Sequence, residues 1–344
     1  AARPVRALVA RDPRGKSIGR ASRPAAHESD NENYVIRMLS GLGRTMIRPL
    51  VIAGPTASGK SELALRIAER DGGTVINADA LQVYSCWRVL SARPDPAELA
   101  RAPHVLYGHV APELRYSVGA WLRDLAPLLA ELAAAGRRPI IVGGTGLYLS
   151  TLFDGLTEIP EIPPEIRAAS TATLADGRLD ALLADLARGD PATFARIDRA
   201  NPMRVQRAWE VLIATGRGLG DWHRARAAPL LRAADCDRIV LGPEIGILNN
   251  RIETRFNVMV GNGALAEAAA YRALGLPPDL PSARALGAAD LIAHLDGRLD
   301  LQDAAASAIT ATRQFAKRQR SWFRNRMADW RWLDPGALPP LPRI

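Results

Sequence analysis

The sequence predicts an α/β fold: a P-loop, NTPase-like parallel-sheet core with a helical insertion and a helical, basic C-terminal part. Three observations lead there. GPTASGKS, residues 54–61, directly follows the apolar run LVIA and matches G-x-x-x-x-G-K-[ST], a loop that cradles phosphates. Apolar runs then alternate with amphipathic stretches, the pattern of parallel strands joined by right-handed crossovers. From about 157 to 235, and again after 250, helical periodicity continues without clear strands.

Taken in order, RPLVIAG reads as a buried strand and SELALRIAERDG as the helix after the loop. TVINAD (74–79) is a second strand ending in Asp79, 116–138 a long amphipathic helix, and RPIIVGGTG (138–146) a third strand. EIPPEIR opens a run of helices broken by GD and NP pairs. DRIVLGPE (237–244) is one more strand, and the rest is helical up to the Pro-rich tail. The expected units are a core at 46–156, a helical insertion at 157–235, core completion with basic helices at 236–334, and a tail at 335–344. Residues 1–45 are rich in Arg, Ser and Pro and lack periodicity, so a disordered leader is expected there, with Met46 just ahead of the first strand.

Hydrophobic residues make up 48% of the 344 and charged residues 24%, ordinary for a soluble globular protein. No apolar run approaches the ~18 residues that span a bilayer. Two cysteines form neither a disulfide framework nor a metal cluster, and the five histidines show no ligand spacing. The net charge of +9 suits a polyanionic partner where the charge is clustered, although an Arg- and Ala-rich composition accounts for part of it.

Gly54 and Gly59 allow close backbone approach, the loop amides make an anion nest, Lys60 adds a point charge, and Ser61 offers a hydroxyl to Mg²⁺. A nucleotide hydrolase also carries an apolar strand ending in a Mg²⁺-binding Asp. Here the strongest later strand ends in Gly143-Gly144-Thr145, two glycines that either leave room for a ligand or make a tight turn. Asp79 points to the same crevice. Its candidate roles are Mg²⁺ ligand, hydroxyl binder, proton acceptor and helix N-cap. In TRQFAKRQRSWFRNR (312–326), helical spacing puts Phe315, Gln319, Trp322 and Phe323 on one face, with Arg313, Lys317, Arg318, Arg320, Arg324 and Arg326 on its flanks. Such a seam packs on a core while the cations meet phosphates. MRVQRAWE (203–210) and RIETRF (251–256) add further helical Arg pairs.

These motifs resemble those of the tRNA dimethylallyltransferases. GPTASGKS is similar to the family's GPTASGKT, NADALQVY (77–84) to S-x-D-S-x-Q-V-Y, and VGGTGLY (142–148) is identical. MRVQRAWE resembles R-x-x-R-A-L-E, and TRQFAKRQRSWFR resembles T-R-Q-x-A-K-R-Q-x-T-W-F-R. The likeness spans about 47 to 334 and, without a Cys/His zinc finger, is to the bacterial form. It implies that the loop holds the diphosphate of dimethylallyl diphosphate rather than ATP. Gly54, Thr56, Ala57, Ser58, Gly59, Lys60, Ser61 and Arg255 would bind it, with Arg251 as the alternative arginine. Mg²⁺ would sit on Ser61. Asp79 would accept the proton of an attacking adenine amine, with Lys60, Thr56 and Arg255 completing the catalytic set. The resemblance places tRNA contacts at Asp79, Ala80, Leu81, Gln82, Thr145, Arg167, Met203, Arg204, Val205, Gln206, Arg207, Arg313, Lys317, Arg318 and Arg320. It implies a monomeric cytoplasmic enzyme acting on the anticodon stem-loop of tRNA through a channel in the core, with no membrane. An adenylate prenyltransferase, a small-molecule P-loop kinase and an inactive RNA-binding homologue are the rival readings. The chain departs from the family at Ala80, where Ser is usual, at VLSARP (89–94) in place of IGTAKP, and at Gly287-Ala288-Ala289-Asp290.

Overall fold

The computed structural model describes residues 48–157, 159–224 and 228–334. The expected leader, Met46 and the tail lie outside the described residues. Strand β1 (Leu50–Ala53) is wholly buried and runs straight into the loop. Helix α1 (Lys60–Asp71) follows, closed at its far end by Gly72 in the left-handed conformation (φ 67°). Next come β2 (Thr74–Asn77), α2 (Pro96–Arg101) and the two-residue β3 (His104–Val105). Helix α3 (Val118–Ala134) starts at Ser117, whose side chain accepts from Ala120 N–H. It leads to β4 (Pro139–Gly143) and α4 (Gly146–Asp154).

Five helices come next: α5 (Pro164–Ala175), α6 (Leu179–Gly189), α7 (Pro191–Phe194), α8 (Pro202–Thr215) and α9 (Leu219–Arg224). They enclose their own apolar cluster, centred on Leu182, Leu186, Val205, Ala208 and Leu212. The chain then returns to the sheet as β5 (Asp237–Leu241). Helices α10 (Ile245–Gly261), α11 (Ala264–Ala273), α12 (Ala288–Leu295) and the 26-residue α13 (Leu301–Arg326) follow, and β6 (Arg331–Leu333) ends the described chain.

The six strands are all parallel, in the order β3-β2-β4-β1-β5-β6. Alternation sends Val51, Ala53, Ile76 and Ile141 to one face, against α3 and α4. Leu50, Ile52, Val75, Ile140 and Val142 go to the other, against α1. Covered on both faces, these strands are continuous apolar runs, which is why they were legible. The stretch read as helical up to the tail contains β6, and β3 was not expected either. Both are edge strands of two or three residues, too short for a period to register. The cysteines are thiols; Cys86 is half-buried and Cys236 buried, and burial pushes each up to about 11. Among the described residues, no helix is long and apolar enough to cross a membrane.

Candidate active site

Strands β2, β4 and β1 are neighbours, so their carboxyl ends deliver three features side by side: Asp79, the Gly143–Thr145 turn and the 54–61 loop. Ligands of open parallel sheets bind in this crevice. In the loop, Ser58 N–H donates to Pro55 O (3.2 Å), and Ala57 (φ 61°) and Gly59 (φ 92°) both adopt left-handed backbone. A non-glycine residue in that region is strained, and such strain clusters where backbone amides are aimed at a ligand. No side chain caps α1, so its first amides and the helix dipole are free to meet an anion. A Cβ at residue 54 would come within 2.6 Å of Ser58 Oγ, so only glycine fits there.

Gln319 completes the loop. Its Oε1 accepts from Thr56 N–H and its Nε2 donates to Gly144 O, both at 2.9 Å. The motif left open whether the paired glycines make room for a ligand or a tight turn. Gly144 and Gly146 line the cavity of the site. They also admit α13, since a Cβ at 144 would meet Gln319 Nε2 at 2.3 Å and one at 146 Trp322 Nε1 at 2.1 Å, while a Cβ at 143 would meet Ala78 O at 2.1 Å.

A cavity of about 540 Å³ opens here, lined by Thr56, Ala57, Asp79, Ala80, Leu81, Thr145 and Arg255, and by Arg318, Gln319 and Trp322 of α13. Asp79 is held in a turn, not at a helix N-terminus. Its N–H donates to Asn77 Oδ1 and its Oδ1 accepts from Leu81 N–H, each at 2.9 Å. That leaves Oδ2 beside Gly144, where a Cβ would lie 3.5 Å from it. Lys60 and Arg255 both feel the Asp79 charge. Burial lowers the Lys60 ammonium to about 8, opposed by Asp79 and reinforced by Arg255. Burial also lowers Arg255, again opposed by Asp79. Two cations and one carboxylate leave this end net positive. Arg251 Nη1 flanks the other side, 4.0 Å from where a Gly59 Cβ would stand. The two arginines, treated in the sequence as alternatives, are both at the loop because they lie one turn apart on α10. Ser61 is exposed in the first turn of α1. Among the described residues no cluster of three or more His, Cys, Asp or Glu could hold a metal.

The other sequence-predicted contacts divide between the cavity and the rest of the molecule. Thr145 Oγ1 accepts from Ala80 N–H (2.9 Å), a backbone bond that survives the loss of the Ser side chain at 80. Gln82 does not line the cavity; its Nε2 donates to Ser91 O and Ala92 O. Val205 is 0% exposed within the helical cluster, and buried Gln206 donates to Ser170 and Thr171. Neither faces outward for RNA, because α8 uses that side for packing. Met203, Arg204 and Arg207 are exposed, and Arg207 interacts electrostatically with Arg167 on α5. Arg313 is paired at the surface, donating to Glu253 Oε2 (2.6 Å) on α10. Lys317 and Arg318 are exposed. Arg320 and Arg324 line a second concavity, about 430 Å³, which Pro55 joins from the loop.

The chain matches the IPP transferase family model over residues 82–326 and the isopentenyl transferase model over 47–107. It is 56% identical over 283 residues to a tRNA dimethylallyltransferase of Cereibacter sphaeroides, covering 82% of this chain and 88% of that one. A tRNA dimethylallyltransferase of Paracoccus denitrificans is 55% identical over 295 residues, covering 84% and 95%. The crystal structure of the full-length tRNA isopentenylpyrophosphate transferase from Bacillus halodurans superposes with a TM-score of 0.59 at 31% identity, covering 84% and 90%. A eukaryotic dimethylallyltransferase acting on tRNA gives 0.71 at 26% identity, covering 83% and 73%. With the loop, the strand-end aspartate and the basic helix in one architecture, and relatives this close over most of its length, the chain belongs to the IPP transferase family, among the tRNA dimethylallyltransferases.

Proposed function

We propose that this protein transfers the dimethylallyl group of dimethylallyl diphosphate to the exocyclic amine of the adenosine 3′-adjacent to the anticodon in tRNA. The observation that carries this reading is that Asp79 and Arg255 line one cavity with Thr56 and Ala57 of the loop, while Lys60 of the same loop interacts electrostatically with both. The amine nitrogen bonds to the allylic carbon as the bond from that carbon to the diphosphate oxygen breaks. Negative charge grows on the leaving oxygen, where Lys60, Arg255, Arg251 and the amides of Ala57, Gly59, Lys60 and Ser61 stabilise it. Thr56 adds its hydroxyl, its own amide being held by Gln319. The amine loses its proton to Asp79 Oδ2, since Oδ1 is occupied by Leu81 N–H. Thr145 keeps an O–H to donate to the extruded base, which must leave the anticodon-loop stack to reach the cavity.

An exposed Ser61 hydroxyl without an acidic cluster suits Mg²⁺, which keeps several waters and takes its remaining ligands from substrate phosphates. Bound there, the ion supplies charge neutralisation for the leaving diphosphate. The α5–α9 cluster supports assigning 157–235 to an insertion between the core parts 46–156 and 236–334. Met203, Arg204, Arg207 and Arg167 on it, with Lys317, Arg318 and Arg320 of α13, form the RNA-facing set. We assign the protein to the cytoplasm, where tRNA is processed, as a monomer.

The test is prenyl transfer with an anticodon stem-loop and with free AMP as acceptors. Transfer to the stem-loop alone is expected. Equal transfer to AMP favours the free-nucleotide reading, and no transfer to either defeats both. Stem-loop binding should weaken steeply with salt. Each phosphate contact removed lowers the log–log slope by roughly one. Replacing Lys317 and Arg320 by Ala is therefore expected to flatten the slope and leave dimethylallyl diphosphate affinity unchanged; an unaltered slope would mean that RNA is held elsewhere.

A further inference from the structure

Residues 88–92 overlap the VLSARP segment (89–94) that departs from the family pattern, and they belong to no helix or strand. Each of them is nevertheless held by at least one backbone hydrogen bond. Glu267, on α11, accepts from three successive amides: Oε1 from Arg88 and Val89 N–H at 2.7 Å each, and Oε2 from Leu90 N–H at 3.0 Å. Gln82 takes the next two carbonyls, with Nε2 2.9 Å from Ser91 O and 2.8 Å from Ala92 O. Ser91 Oγ closes the turn onto Trp87 O at 2.6 Å. Hydrogen bonds to an ionised carboxylate are about twice as strong as neutral ones, so Glu267 dominates this set.

The clamped residues are a wall of the cavity. Leu90 and Ser91 line it, together with Ile252, Phe256 and Met259 of α10. Leu90, 6% exposed, packs in one cluster with Ile252 and Phe256. Leu90, Ile252, Phe256 and Met259 give the cavity an apolar portion of its lining, beside the polar Asp79 and Arg255. Taking the function proposed above as given, a donor whose diphosphate lies on the loop can extend its hydrocarbon only toward this apolar portion. The depth there is set by where Leu90 stands, and Leu90 stands where Glu267 holds its amide.

We infer that Glu267 is a specificity-determining positioning residue: through the 88–90 amides it fixes the Leu90–Ser91 wall, which confines the donor to a five-carbon chain and excludes longer allylic diphosphates. The residue touches no substrate. Its loss should change which donor is used rather than whether the loop binds phosphate.

The experiment compares wild type, Glu267→Ala and Glu267→Gln with dimethylallyl and geranyl diphosphate as donors and a stem-loop as acceptor. Inorganic pyrophosphate serves as a tailless probe of the loop. In Glu267→Ala, KM for dimethylallyl diphosphate should rise about 5- to 10-fold and the geranyl-to-dimethylallyl ratio of kcat/KM about 10-fold or more, the scale of hydrocarbon-pocket discrimination. Pyrophosphate Kd should stay within about twofold, because the loop keeps all its partners. Glu267→Gln keeps one acceptor oxygen and sets an N–H against Leu90 N–H, so its donor ratio should lie between the two. An unchanged donor ratio in folded Glu267→Ala overturns the inference. So does a loss confined to the stem-loop, or an equal loss of pyrophosphate and donor affinity. Should Glu267→Ala fail to fold, Leu90→Ala decides: it cuts the wall back by an isopropyl group without touching the clamp, and an unchanged donor preference there overturns the inference as well. Wild type that binds no pyrophosphate would instead defeat the reading of the loop, and this inference with it.

Discussion

Asp79→Asn is expected to lower turnover by ~10²–10⁴ while stem-loop affinity moves little. The substitution keeps the shape. An asparagine oxygen can still accept Leu81 N–H as Oδ1 does now, and the Asn77 bond to the backbone at 79 involves no side chain of residue 79. What changes is the second position. The amide NH₂ then stands where Oδ2 faces the cavity, and it cannot take a proton from the adenine amine. An arylamine is a weak nucleophile until that proton can leave, so the loss falls on the chemical step. Single-turnover prenyl transfer at saturating stem-loop, with a parallel binding titration, separates the two effects. A rate within a few-fold of wild type would reduce Asp79 to a turn-forming residue and leave the mechanism without a base.

Lys60→Ala is expected to weaken pyrophosphate binding and to lower kcat/KM for dimethylallyl diphosphate by about 10²–10³-fold. Lys60 meets charge that is present in the ground state and grows as the allylic bond breaks, so binding and turnover fall together. Wild type should also show a pH signature. Burial brings the Lys60 ammonium from its ordinary 10.5 to about 8. The protonated form, which attracts diphosphate, dominates below that value and is lost above it. Pyrophosphate affinity should therefore decline as pH rises through about 8 and beyond, with the midpoint moved upward by the bound anion itself. Lys60→Arg, which keeps its charge throughout this range, should flatten the profile. For folding the sign is opposite. Between about 8 and 10.5 the unfolded chain binds more protons at this residue, so its contribution to the stability of the unliganded protein increases with pH. A flat pyrophosphate titration between pH 7 and 10 in wild type would remove Lys60 from the diphosphate site.

Much of this protein is written in contiguous residues. A buried parallel strand is a run such as LVIA or PIIVG, and the phosphate loop is eight residues whose backbone geometry depends on Gly54 and Gly59. Asp79 could be placed from order alone, since a residue at the carboxyl end of a parallel strand must face the crevice. The resemblance to known relatives added roles to these residues, and the assignments rest on local patterns that survive in a linear reading.

Other features arise from contacts between segments far apart in the chain. Gln319 reaches Thr56 across 263 positions, and no periodicity shows that a residue in a helical seam will bind the phosphate loop. The same contact gives Gly144 a second duty, since it lines the cavity and also makes room for the Gln319 amide. Arg313 was one cation among six until packing set it against Glu253 and neutralised it with a carboxylate. Val205 lies between exposed arginines in sequence but on the inner side of its helix in space. Glu267 gave no sequence signal, because its three partners are backbone amides and backbone amides have no side-chain identity to read. Charge, chain direction and strand order are properties of the residues in series; which donor meets which acceptor depends on how the helices close over the sheet, and only the packed molecule specifies that.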